Sequence, residues 1–142
     1  MLFRSKDADG SRRVIAAALE DAGIEVAKVD HVCAHATGTR PNDITEAAAL
    51  RNLFGDRLAS MTVGAHKSQL GHMMGGAGIA EAIVTVKILR QHLIPPTINH
   101  VTPDPGCVLD CVPGQVRRRD VGCAITNSAG IGGNNASLVL QA

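Results

Sequence analysis

Three short stretches carry side chains that could do chemistry together: HATGT from His35 to Thr39, HKSQLGH from His66 to His72, and NSAGIGGNN from Asn127 to Asn135. A lysine and a histidine, Lys67 and His72, stand five positions apart around Gly71, and GGAG follows at 75–78. Imidazoles and an ammonium group at the mouths of loops are groups capable of chemistry, as hydrogen-bond donors or in proton transfer. Each stretch taken alone has a plainer reading, as a packed histidine, a solvated lysine or a glycine turn. All three follow a segment that reads as a strand. Loops opening at one sheet edge are a common way to assemble a site.

The elements that must position them are legible in outline. Ser11–Ala22 has Val14, Ile15, Ala18, Leu19 and Ala22 at helical spacing, with Gly23 as a stop. Val29–Ala34 reads as a short buried strand. A helix capped by Asn42 runs to Leu53 with Asp43 and Glu46 in its first turn, and Gly55 ends it. Met61–Gly64 reads as a second strand, and a long apolar helix is expected from Gly71 to Gln91. Pro95 and Pro96 force extended chain through Asn99. Residues 101–116 are turn-rich, and Arg117, Arg118 and Arg119 read as a solvated basic patch. Cys123–Ser128 and Ala136–Leu140 form a closing antiparallel hairpin. The expected fold is α/β: a mixed five-stranded sheet with helices on both faces, in one domain from 10 to 142 after a loose segment at 1–9.

Composition excludes several functions. The 142 residues carry a formal charge of +1 and only 1% aromatic side chains, which argues against a nucleic-acid partner. The longest apolar stretch, near 79–94, is interrupted by Glu81, Lys87, Arg90 and His92, so no membrane span is expected. Cys33, Cys107, Cys111 and Cys123 form no CxxC pair, and the N-terminus lacks the apolar run of a secretory signal. Reduced thiols in a cytoplasmic protein are the simplest reading. HKS lacks the glycine spacing of a P-loop, and GIGGNN opens no helix after a first strand. No histidine set has metal-ligand spacing; His100 with Cys107 and Cys111 matches no specific zinc pattern.

The four motifs AHATGTRPND, KSQLGHMMGGAG, PPTIN and NSAGIGGNN, in this order, resemble the C-terminal half of the β-ketoacyl-[acyl-carrier-protein] synthases. The resemblance spans about Gly10 to Leu140. It implies a thiolase-like half-fold and a part in decarboxylative condensation of malonyl-carrier protein with an acyl thioester, in fatty acid or polyketide synthesis. By position, His35 and His72 match the family's two catalytic histidines, and Lys67 matches its lysine. Glu46 matches a glutamate expected to pair with Lys67. Thr37 and Thr39 resemble residues that bind the pantetheine arm, and Gly132 and Gly133 would lie near the nucleophile's oxyanion hole.

The resemblance implies no cofactor, since substrates ride on the phosphopantetheine of acyl carrier protein. It implies as partners that carrier protein and an N-terminal ketosynthase half, or a homo- or hetero-oligomer. The sequence also departs from the family. No cysteine lies in the nucleophile's strand-to-helix context, so the chain reads as half of a condensing enzyme and inactive alone. Ala129 and Ile131 replace two phenylalanines of the family loop, the second of which gates the acyl cavity. Ala36 replaces a glycine and Pro41 a leucine. A non-catalytic partner subunit of the chain-length-factor type, or a carrier-binding module, are the alternatives.

Overall fold

The computed structural model describes residues 8–142. Helix α1 (Asp9–Ala22) starts two residues before the expected Ser11, because Asp9 supplies a first-turn carboxylate paired to Arg12 and Arg13. Gly23 closes it at φ +64°, where its N–H reaches back to the last-turn carbonyls. The expected loose segment thus loses Asp9 to the helix, and residues 1–7 lie outside the described residues. Helix α2 (Arg40–Phe54) also begins early. Pro41 has its φ set for a first helical turn, where no N–H is needed, so the boundary falls at Thr39 rather than at Asn42.

Strands β1 (His31–Cys33) and β2 (Thr62–Gly64) run parallel, followed along the chain by a short antiparallel pair, β3 (Leu93–Ile94) and β4 (Arg117–Arg118). Strands β5 (Cys123–Ala129) and β6 (Asn135–Gln141) form the closing hairpin. The main sheet is mixed and four-stranded, in the order β2–β1–β5–β6. It is one strand short of the expected five, because the pair β3–β4 stands apart as its own sheet and Pro95 stops β3 after two residues. The arginine run is not simply solvated: Arg117 pairs with Asp110 and Arg119 donates to the Ser60 carbonyl.

Helices do lie on both faces. Ile15 and Leu19 of α1 and Leu50 and Phe54 of α2 pack with Val32, Val63 and Ile125 on one side. Ala124, one residue out of phase with Ile125, packs with Ile88 and Leu89 on the other. Those two residues belong to α4 (Ala77–Gln91), which is shorter than the expected Gly71–Gln91. Gly71 sits at φ +77° and Met74 at φ +51°, both in the left-handed region, so the chain makes a one-turn helix α3 (Lys67–Leu70) and then a loop before α4 begins. On the outer side of α4, Ile79, Ile83 and Val86 are 67%, 52% and 41% exposed, which leaves an uncovered apolar stripe. Among the described residues no helix is long and apolar enough to cross a membrane.

Candidate active site

The three parallel strands β1, β2 and β5 end at one edge of the sheet, and each hands a functional group to it. Two residues beyond β1 comes His35, 6% exposed. Three beyond β2 comes Lys67, the first residue of α3. In the loop between α3 and α4 comes His72, exposed and free of helical constraint. The His35 and His72 rings meet edge-to-face with centroids 5.7 Å apart. The two imidazoles from separate strand ends therefore converge.

Lys67 lies behind them and is buried. Its Nζ donates to the His35 carbonyl at 2.6 Å and to Glu81 Oε1 at 2.5 Å, and stands 3.5 Å from His35 Nδ1. An ammonium so near Nδ1 disfavours a proton on that nitrogen, which leaves the hydrogen of a neutral ring on Nε2. At His72, Nδ1 accepts the Met74 backbone N–H at 3.1 Å, which again places the hydrogen of a neutral ring on Nε2. Both rings are thereby set to act as Nε2–H donors.

The expected pairing of Glu46 with Lys67 is not what forms. Glu46 is buried on α2 and takes the His35 and Ala36 backbone N–H groups at 2.9 Å each, and Asn127 Nδ2 at 2.8 Å. The partner of Lys67 is Glu81, on α4 and 1% exposed. The reason is topological. The Glu46 carboxylate lies close enough to the turn after β1 to be filled by backbone donors, while α4 brings Glu81 to the ammonium. Burial pushes both carboxyls up from the ordinary glutamate range; hydrogen bonds from Ala36, Asn127 and His35 oppose it at Glu46, and Lys67 opposes it at Glu81. Glu46 thus holds the backbone of the His35 turn, including Ala36, whose φ of +35° is a conformation that favours glycine.

A cavity of about 500 Å³ opens beside these groups and is lined by Thr37, Lys67, Ser68 and His72 at one part of its wall. Thr39 bonds Thr37, Oγ1 to Oγ1, at 2.9 Å. Gly132 and Gly133, at φ +93° and +83°, shape the exposed tip of the β5–β6 hairpin, and Ile131 there is 60% exposed. These three do not line the cavity; the hairpin reaches the site through the Asn127 side chain on β5. Sequence reasoning missed Glu81 and Asn127. The signal for Glu81 was its place as a lone acid inside an apolar helix.

All four thiols are raised above the ordinary cysteine range. Burial pushes Cys33 up to about 12 and Cys111 up to about 11, and raises Cys107 and Cys123 as well. Among the described residues no group of three or more His, Cys, Asp or Glu is arranged to hold a metal ion.

The family model for the beta-ketoacyl synthase C-terminal domain matches residues 1–101. The chain belongs to that family. It is 42% identical over 135 residues to 3-oxoacyl-[acyl-carrier-protein] synthase 2 of Synechocystis, covering 95% of this chain and 32% of the relative. It is 41% identical over 135 residues to the enzyme of the same name from Staphylococcus aureus, covering 95% of this chain and 34% of the relative. The chain therefore spans about a third of the length of the curated relatives it matches. Among solved structures, the ishigamide ketosynthase/chain length factor superposes with a TM-score of 0.91 at 44% identity, over 95% of this chain and 33% of that one. A ketosynthase solved with its type II PKS acyl-carrier protein, bound to the hexaketide, gives a TM-score of 0.91 at 33% identity, over 95% and 34% of the two chains. These structures share the thiolase-like architecture that the four motifs imply.

Proposed function

We propose that this chain is the C-terminal half of a β-ketoacyl-[acyl-carrier-protein] synthase, and that it supplies the electrostatic part of a decarboxylative condensation. The observation that carries the reading is the meeting of His35 and His72 at 5.7 Å, with the Lys67 ammonium anchored behind His35. The bond between C2 of a malonyl thioester and its carboxylate breaks, CO2 leaves, and the electron pair moves into an enolate whose oxygen carries the charge. Two Nε2–H donors converging on that oxygen stabilise it without reorganising. The enolate carbon then attacks an acyl thioester carbonyl and expels the thiolate that carried the acyl group.

That thiolate comes from outside this chain, since all four of its thiols are pushed toward the protonated form. An N-terminal ketosynthase half supplies it and covers Ile79, Ile83 and Val86 on α4. The malonyl group arrives on the phosphopantetheine of acyl carrier protein along the cavity wall at Thr37, and no cofactor is needed. A non-catalytic subunit has no use for the assembled His35, Lys67 and His72.

The test is co-expression with a family N-terminal half and an assay of malonyl-carrier-protein decarboxylation. His72→Ala should lower the rate by about 10²–10³, the effect of losing one oxyanion donor. Equal rates for wild type and His72→Ala would remove the reading.

A further inference from the structure

A second histidine pair lies beneath the site, and nothing in the proposed reaction uses it. His31, first residue of β1, and His66, immediately before Lys67, are 0% and 1% exposed. Their ring centroids are 5.9 Å apart, with the planes tilted by 35°. They meet because β1 and β2 pair in parallel with His31 opposite Thr62, so the chain leaving β2 at Gly64 turns back over the same face. His31 is tied down by its Nδ1 against Thr62 Oγ1 at 2.9 Å, yet the Nε2 atoms of both rings have no hydrogen-bond partner.

The space the rings fill is taken from Gly64. A Cβ on residue 64 would lie 2.7 Å from His66 Cε1, 2.8 Å from His66 Nε2 and 3.0 Å from His31 Cε1. Glycine is required here for close approach, at an ordinary backbone conformation. The same Gly64 accepts the Ala34 N–H at 3.0 Å, one residue before His35. On the other side, the His66 carbonyl accepts the Gln69 and Leu70 N–H groups at 3.0 and 3.1 Å, which starts the single turn of α3.

We propose that His66 is a positioning residue for Lys67: its ring, wedged between the Gly64 backbone and the His31 ring, fixes the angle at which the chain enters α3 and so aims the ammonium at the His35 carbonyl and Glu81. The shape of the ring does this, by filling the space between Gly64 and the His31 ring. A four-residue helix has no length to hold its own orientation, so the wedge before it sets the direction. The inference rests on the place of Lys67 in the proposed site.

The experiment follows the Lys67 side-chain ammonium by ¹H–¹⁵N NMR in the 142-residue chain, assigned by its loss in Lys67→Met. A buried, hydrogen-bonded ammonium exchanges slowly with water. His66→Phe should keep the protected signal, whereas His66→Ala and Gly64→Ala should speed its exchange by about tenfold or more. Unchanged exchange in a folded His66→Ala, exchange in His66→Phe as fast as in His66→Ala, or no protected ammonium in wild type would each overturn the proposal. Should His66→Ala not fold, His66→Phe decides alone, and loss of its signal counts against the wedge. In the enzyme assembled with an N-terminal half, His66→Ala should lower kcat for decarboxylation by up to about a hundredfold with KM unchanged, as misplacement of a catalytic group does. If Lys67→Met leaves decarboxylation unchanged there, the functional reading fails, while the exchange measurement still judges the wedge.

Discussion

The molecule holds two pairs of imidazoles at nearly the same separation, 5.7 Å for His35 with His72 and 5.9 Å for His31 with His66. Geometry between the rings does not tell them apart; their surroundings do. In the first pair the Lys67 ammonium stands near Nδ1 of His35, the Met74 N–H donates to Nδ1 of His72, and His72 lines a cavity. In the second pair burial is complete, and the Nε2 atoms face protein with no partner. Proximity of imidazoles therefore marks a site only where a ring also borders space that a ligand can enter.

The largest effect should come from the support beneath the first pair. Glu81→Ala strands the buried Lys67 ammonium and should cost about 3–5 kcal/mol in urea unfolding, whereas Glu81→Leu combined with Lys67→Met should recover most of that loss. A double variant no more stable than Glu81→Ala would mean that the pair is not the element holding this region. Next comes the contrast between the pairs themselves. In the assembled enzyme, His35→Ala should lower decarboxylation by about 10²–10³. His31→Phe, which keeps a ring but loses the Nδ1 contact with Thr62 Oγ1, should leave the rate close to wild type. Similar losses from both would erase the distinction drawn between them.

Most of what positions the first pair was legible in the sequence. The period of Val14, Ile15 and Leu19 marks α1, Gly23 its end, and the strand-then-loop order places His35, Lys67 and His72 at one edge. The partner of Lys67 was not legible, because a carboxylate's partner depends on which helix face turns inward, and Glu46 and Glu81 are equally acidic as letters. The start of α4 was not legible either. The apolar period is carried by residues 77–91, and the glycines at 71, 75, 76 and 78, which disfavour helix, do not say that Gly71 is the one at φ +77°. The second histidine pair was invisible for a different reason. His31 and His66 belong to separate strands, and only the parallel register of β1 with β2 joins them.

That buried pair also makes a prediction about pH. Burial, then the His66 charge and that of Arg119, hold His31 down at about 3; burial and then Lys67 hold His66 down at about 4. In the unfolded chain both rings titrate near the ordinary 6.5. Below that pH the unfolded chain takes up protons that the folded chain refuses, so the stability due to neutral rings is complete above pH 6.5 and drains away as pH falls toward 4 and 3. At about pH 5 each ring should cost about 2 kcal/mol. Glu46 and Glu81 work the other way: their raised carboxyls favour the folded state as acid is added, so the net slope of the wild type understates the histidine contribution. The clean measurement is therefore a difference. Urea unfolding of wild type, His31→Phe and His66→Phe near pH 7.5 and pH 5 should show each variant losing less on acidification than wild type, by about 2 kcal/mol. Parallel losses in all three chains would mean that the two rings are not held neutral by burial, and the contrast between the two pairs would lose its physical basis.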